Sequence, residues 1–418
     1  MASTGPSCPI IFTTQTPYPL PTQKYMIPTN WKRFQLSQLI NKALSLPKPV
    51  PFDFLIRGEV LRTSLAQWCQ EHGVGEEETL ELEYIESIMP PQKMSEIPHE
   101  DWFLRFVVRQ NLIFSTLAHS APVTSVCIIP SQNDDQTSHL LVTASHDLSA
   151  QLIQISLPPD PSQKPTSKPL AKLHLHTGPL SSIASNSSGS RLLTSSWDGL
   201  IGVWDTAIPI SDEVPEPAIT DRERKKRRKL NGEDDPVSKP KRKIPMTVLK
   251  SHTARVSRVI FGGDGAAYSC GFDSTVRLWD VENGVCTHTI TASEKPFVDL
   301  TLNADGNIAL AASTDRTVTL YDVRSGLSSV NASSGSLLHP ATPSCLASGT
   351  TPHQIISGAY DGIARLWDLR STKVAMASFK AWDGQKKVLS VDWKRGLVGV
   401  GGEGGLEVWK AAEDTQRQ

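Results

Sequence analysis

The side chains best suited to chemistry in this chain are carboxylates set on a fixed ruler. Asp198, Asp273, Asp315 and Asp361 are each followed seven residues later by another Asp, in WDGLIGVWD, FDSTVRLWD, TDRTVTLYD and YDGIARLWD. His119, His176 and His252 lie ahead of Asp147, Asp198 and Asp273. A His beside an Asp is a pairing used in general acid–base catalysis. Trp204, Trp279 and Trp367, which close three of the copies, point elsewhere. In a tight turn between strands the Asp accepts hydrogen bonds from the His and from backbone N–H groups, while the indole brings an apolar face and a donor N–H into the seam. Repeated on one ruler, these groups read as turn holders and not as general bases. Two weaker copies keep the ruler: Asp147 is followed by Gln151, Leu152, Ile153 and Gln154 where Trp-Asp would stand, and Glu403 leads to Val408, Trp409 and Lys410.

Other chemistry is thin. Gly399, Gly401 and Gly404 spell G-x-G-x-x-G, but LEVW follows as a strand pattern, whereas a dinucleotide fingerprint needs a helix whose N-terminus faces the phosphates. There is no Walker A loop, HExxH, GxSxG or Cys/His ligand spacing. No catalytic residue and no cofactor of its own is expected, and the chain reads as a non-enzyme. Glu76, Glu77 and Glu78 form a glycine-opened acidic loop, GVGEEET, which by composition alone is a solvated turn.

Sheets must position these acids. From turn acid to turn acid the steps are 51, 75, 42, 46 and 42 residues. One four-stranded unit cannot bury both faces, so the copies must stack. A period near 42 residues closed by Trp-Asp resembles the WD-repeat blade. The expected fold is mainly β, a WD40 β-propeller over residues 102–410, and the resemblance implies seven blades where six copies are visible. Before His119, residues 101–117 supply two strands, FLRFVVRQ and NLIFSTL, and not four. The first blade is therefore expected to be incomplete, leaving an edge open to aggregation.

A separate unit spans residues 8–86. CPIIFTTQ and KYMIP read as strands, Arg33 to Leu46 as a helix with an apolar stripe, PFDFLIRG and EVL as short strands, TSLAQW as a tight turn of helix, and TLELEY as a closing strand. That order is the ubiquitin-like β-grasp. The chain lacks a terminal Gly-Gly there and runs on past Tyr84, so docking is expected and not conjugation. Residues 87–101, SIMPPQKMSEIPHED, read as a linker.

The segment KPVPFDFLIRGEVLRTSLAQW, with LELEYIESIMPP and EDW after it, resembles the NLE (Notchless-like) domain of the WD-repeat subunit of the PeBoW ribosome-assembly complex. With the propeller, the resemblance covers nearly the whole chain. It implies a role in maturation of the large (60S) ribosomal subunit and its rRNA, in the nucleus, nucleolus and nucleoplasm. It also implies three partners: the PeBoW scaffold subunit bound by the propeller, pescadillo through that subunit, and the metal-ion-dependent adhesion site of midasin, a giant AAA ATPase, bound by the NLE domain. Such a site holds Mg²⁺ with an open oxygen position that a partner's carboxylate can fill. The resemblance puts that carboxylate on Glu77, with Glu76 and Glu78 one register away. Two other readings stay open. A Notchless-type pre-60S factor shares the domain order and the ATPase, but its wording differs at PFDFLI and EY…MPP. A WD40 substrate receptor of a ubiquitin ligase would need an adaptor-binding helix pair that the sequence does not show.

A hydrophobic fraction of 39% beside 20% charged residues is ordinary for a globular protein. No run approaches the roughly 18 apolar residues of a membrane span, the opening MASTGPSCPIIF lacks a secretory pattern, and no membrane partner is expected. The six cysteines are scattered, with Cys270 and Cys286 the two that could meet across a blade. A net charge of −1 hides an asymmetry, because residues 221–243 hold eleven Lys/Arg against five Asp/Glu. That segment belongs to an insertion over residues 206–247, read as disordered. It carries Lys225, Lys226, Arg227, Arg228 and Lys229, then Lys239, Lys241, Arg242 and Lys243, the spacing of a bipartite nuclear import signal. The same charge suits the phosphates of rRNA, and the absence of interleaved aromatic residues argues against base stacking.

Overall fold

The computed structural model describes residues 6–75, 77–87, 90–97, 119–130, 138–156, 166–214, 240–263, 265–291, 294–323 and 335–411. At the N-terminus, alternation gives β1 (Ser7–Thr13) one buried face, carrying Cys8, Ile10 and Phe12. β2 (Lys24–Pro28) pairs with it antiparallel. In α1 (Arg33–Ala43), Leu36 and Ile40 lie one turn apart and are fully buried. β3 (Phe52–Ile56) is buried on both faces and turns at Arg57 and Gly58, both at positive φ, into β4 (Glu59–Val60). α2 (Leu65–His72) follows, then β5 (Leu80–Glu86), which runs parallel to β1 and antiparallel to β3. The sheet order β2-β1-β5-β3-β4, with Leu36, Ile40 and Trp68 of the helices packed on Phe12, Phe54 and Tyr84, is the expected β-grasp.

Six further sheets follow. The first holds Val123–Ile129, Ser138–Ser145, Ala150–Ser156 and Thr166–Leu173; the second Leu180–Ser185, Arg191–Ser196, Leu200–Asp205 and Thr247–Lys250. The third runs Val256–Phe261, Ala266–Gly271, Val276–Asp280 and Val285–Ile290, and the fourth Phe297–Leu302, Ile308–Ser313, Thr317–Asp322 and Gly335–Leu338. Pro343–Ser348, Gln354–Ala359, Ile363–Asp368 and Ala377–Lys380 make the fifth. Consecutive inner strands are stitched by hydrogen bonds: Ser181 Oγ to Val256 O at 2.7 Å, Ser257 Oγ to Phe297 O at 2.8 Å, Leu346 N–H to Asp299 at 2.8 Å, and Ser344 Oγ to Val388 O at 2.6 Å. The charges of Asp392 and Lys394 in the sixth sheet bear on the Cys127 thiol of the first, so the two ends of the series lie near each other. This is a β-propeller. Residues 98–118, where the incomplete first copy was expected, lie outside the described residues.

The sixth sheet corrects the expected linker. It contains Val388–Lys394, Leu397–Gly402 and Gly405–Lys410, and its fourth strand is β6 (Gln92–Ile97), paired antiparallel with Gly405–Lys410 from Lys410↔Gln92 to Leu406↔Ile97. The flanking prolines suggest a connector, but the unpaired edge of the last blade supplies a ladder for the backbone between them.

The insertion needs a correction too. Residues 207–214 and 240–247 belong to the described fold. Lys241–Lys243 forms a short strand parallel to Thr166–Leu173. Lys243 is buried and ion-paired to Asp205, and the Lys241 ammonium donates to the Ile210 carbonyl. These basic residues are structural at their side chains or backbone, whereas Lys225, Lys226, Arg227, Arg228, Lys229 and Lys239 lie outside the described residues. None of the six cysteines is joined in a disulfide, Cys270 and Cys286 included, and among the described residues no helix is long and apolar enough to cross a membrane.

Candidate functional site

The repeated acids come first, because their environment decides whether they can react. In the second sheet the Trp204 indole N–H donates to Thr194 Oγ1 at 2.9 Å, Thr194 meets His176 Nε2 at 2.8 Å, and His176 Nδ1 faces Asp198 at 3.2 Å. The third repeats this with Trp279, Ser269, His252 and Asp273 at 2.8, 2.7 and 2.8 Å. In the first sheet His119 joins Thr143 and Asp147 at 2.7 and 2.9 Å, with Ile153 where the Trp would stand. Each Asp also accepts an N–H two residues on, or from the residue after the His. That bonding holds a turn in which Leu148, Ser274 and Arg316 adopt φ of 67°, 60° and 70°, a left-handed conformation costly for residues with a Cβ.

Burial alone would raise the Asp198 pKa, but bonds from His176 and the Leu200 and Thr177 amides outweigh it and bring it to about 2. Asp147 and Asp273 are lowered by the same contest between burial and their hydrogen bonds. A carboxylate so acidic is a poor base near neutral pH.

The regularity breaks in three places. Among the described residues Asp315 is held by the Thr317 amide and hydroxyl at 2.9 and 2.5 Å, with no His opposite it. In the fifth sheet His339, which opens the nearly complete copy HPATPSCLASGTTPHQIISGAYDGIARLWD, takes the opening position ahead of Asp361. It bonds Ser357 at 2.8 Å, which also accepts from Trp367 at 2.8 Å, but its other nitrogen faces the Leu337 carbonyl, and Asp361 pairs with Arg365. In the sixth, Trp409 donates to Glu407 at 3.0 Å and not to a Ser or Thr, while Glu403 accepts the Lys387 amide at 3.2 Å. The glycine motif lies here: Gly404 sits under the Trp382 ring, where an added Cβ would come within 2.3 Å.

The acidic loop is built differently. Ser64 caps α2 by accepting the Gln67 amide at 3.3 Å, and Gly73 ends the helix at φ 64°. Leu65, Trp68 and Cys69 bury one side of α2, while Leu80, Leu82 and Tyr84 anchor β5 beyond the loop. The turn between these anchors is closed by the Glu78 amide on the Gly75 carbonyl at 3.1 Å, and the Glu78 carboxylate meets Arg57 at 3.0 Å. Glu77 is exposed at the tip, and Glu76 lies outside the described residues. Beside the loop is a cleft of about 390 Å³ bordered by Arg57, Thr79, Glu81 and Glu83.

The same end of the β-grasp is seated on the propeller, on the loop after Ile363–Asp368. Arg62 donates to the Ala375 and Met376 carbonyls at 3.2 Å, Arg370 meets Glu83 at 3.3 Å, and Lys373 pairs with Glu59. Met376 closes a small apolar cluster with Leu55 and Ile85. Glu59 also receives His72 at 2.9 Å, and its pKa is lowered first by Lys373. No group of three or more His, Cys, Asp or Glu among the described residues is placed to hold a metal of its own.

A β-grasp head on a ring of four-stranded sheets, tied by His, Ser/Thr and Trp relays, defines the class as an NLE-domain protein with a WD40 propeller. The NLE (NUC135) domain model matches residues 9–69, and the WD domain, G-beta repeat model matches residues 167–205, 243–280, 284–322 and 334–368. The chain is 60% identical over 436 residues to the Ribosome biogenesis protein YTM1 of Laccaria bicolor, spanning 98% of this chain and 96% of that protein. It is 56% identical to that of Coprinopsis cinerea with the same coverage, and 31% identical to that of Saccharomyces cerevisiae across 92% of each. The chain belongs to the YTM1 family of ribosome biogenesis proteins. Of the three readings open from sequence, these relatives favour the first.

Proposed function

We propose that this chain is a non-catalytic assembly factor for the large ribosomal subunit, in the nucleolus and nucleoplasm. In this reading the propeller binds the PeBoW scaffold subunit and, through it, pescadillo, fixing the protein on the pre-60S particle. Glu77 completes the Mg²⁺ site of midasin in trans, so that ATP-driven traction removes the module. The basic segment around Lys225 to Lys229 serves import and contact with rRNA phosphates. The observation that carries the Glu77 role is geometric. Its carboxylate is exposed at the tip of a turn braced on both sides, with Glu78 already engaged by Arg57, so among the described acids of the loop Glu77 is the one placed to enter another protein's coordination shell.

Pull-down of midasin by full-length wild type, Glu77→Ala and Glu77→Asp tests this. Loss with Ala and partial loss with the shorter Asp are expected, and a weaker effect from Glu78→Ala. Undiminished binding by Glu77→Ala removes the role. Co-sedimentation with pre-60S particles tests the wider reading, and failure to co-sediment would count against it.

A further inference from the structure

We propose that the NLE domain is the handle of the propeller: β6, which closes the last blade, follows that domain directly, so traction on the domain peels β6 from Gly405–Lys410 and opens the ring. The first support is how little holds β6. The outer strands of the other five sheets bury Leu173, Leu249, Ile290, Leu337 and Phe379. In β6, residues Gln92 to Glu96 are all exposed. Among the described side chains its attachment is the backbone ladder plus one bolt, Lys93 on Glu407 at 2.6 Å, the Glu407 side chain being fully buried.

The second support is the path of the load. The acidic loop runs straight into β5, and β5 reaches β6 after residues 87–91. Gln92 pairs with Lys410, the C-terminal end of its neighbour, so β6 drawn from its start gives up its rungs one at a time. β1 and β5 are parallel, Ile10↔Leu80 to Thr13↔Glu83, so traction between the chain's start and residue 86 loads those rungs together. The handle therefore outlasts the closure.

The third support ties seat to bolt. The loop that seats the NLE domain leads through Ala377–Lys380 to Trp382, whose backbone amide donates at 3.3 Å to Glu407, the carboxylate that holds Lys93. Once β6 leaves, a buried carboxylate loses its cation and a blade edge loses its partner. The device belongs to this chain; that midasin supplies the traction rests on the function proposed above.

The experiment is to stretch the full chain by its two ends in an optical trap, which needs no partner. A rupture of the ring, after the seat at Arg62, Glu59 and Glu83 has let go and before the NLE domain unfolds, is expected as the first rupture within a folded unit. It should disappear in oxidised Ser95→Cys/Val408→Cys, a pair directly opposite in the ladder, return on reduction, and occur at lower force in Lys93→Met. A first rupture indifferent to the oxidised staple, or NLE unfolding ahead of it, overturns the proposal while leaving midasin binding through Glu77 untouched. Loss of Glu77-dependent pull-down with an intact first rupture would overturn the traction partner alone.

Discussion

Each Ser or Thr at the centre of a relay serves two neighbours, and this makes its removal expensive. Ser269→Ala leaves the Trp279 N–H and His252 Nε2 without their shared partner. At roughly 1–3 kcal/mol for each orphaned buried group, a loss of about 2–4 kcal/mol is expected in urea unfolding. Thr143→Val orphans the His119 ring nitrogen, with no indole among the described residues donating to Thr143, and about half that loss is expected. Acid acts on a different residue. Burial, opposed by the bond to the Leu337 carbonyl, lowers the His339 pKa to about 4 from 6.5. The unfolded chain thus binds a proton that the folded chain refuses, and the stability linked to neutral His339 is complete above pH 6.5 and lost as pH falls toward 4. That amounts to roughly 3 kcal/mol. Urea midpoints between pH 7 and pH 5 should fall less in His339→Asn than in wild type. Asp198, with its pKa near 2, gives way only below the ordinary 3.8, so it does not blur that window. The Asp ruler was legible in sequence because it is local. That His339 works without Asp361 was not, since the Arg365 that takes Asp361 reads like any strand residue.

Among the elements, β6 most changes the reading of the chain. Its bolt spans 314 residues of sequence, and breaking it strands Glu407 in the interior. Because Lys93 is 40% exposed, Lys93→Met is expected to cost about 2 kcal/mol, less than the roughly 3–5 kcal/mol of a fully buried pair. Lys93→Arg should keep most of it; thermal melts compare the two. Lys241–Lys243 teaches the same lesson, a run of basic residues whose composition says solvent and whose neighbours, Asp205 and the Ala207 and Ile210 carbonyls, say otherwise.

At the level of the whole molecule, the NLE domain is joined to the ring twice: covalently through β6 and by the seat at Arg62, Glu59, Glu83 and Met376. The seat is mostly ionic and partly exposed, so salt should act on it selectively. Near 1 M salt, where the screening length falls to about 3 Å, small-angle scattering should show the NLE domain swinging off the propeller while propeller unfolding shifts little. An unchanged profile would mean that the Leu55, Ile85 and Met376 contact carries the seat.

The sequence by itself determined the strand patterns, the order of the β-grasp, the repeat of the blades and the acidic loop, since each follows from side chains within one turn or one hairpin of each other. Only the tertiary structure decided that a proline-flanked connector would become the last blade's fourth strand, that Lys243 would be buried, and that the head would sit on the loop before Ala377–Lys380. Those choices depend on which edges are left unpaired once the ring is assembled, and a backbone edge has no side chain to announce it.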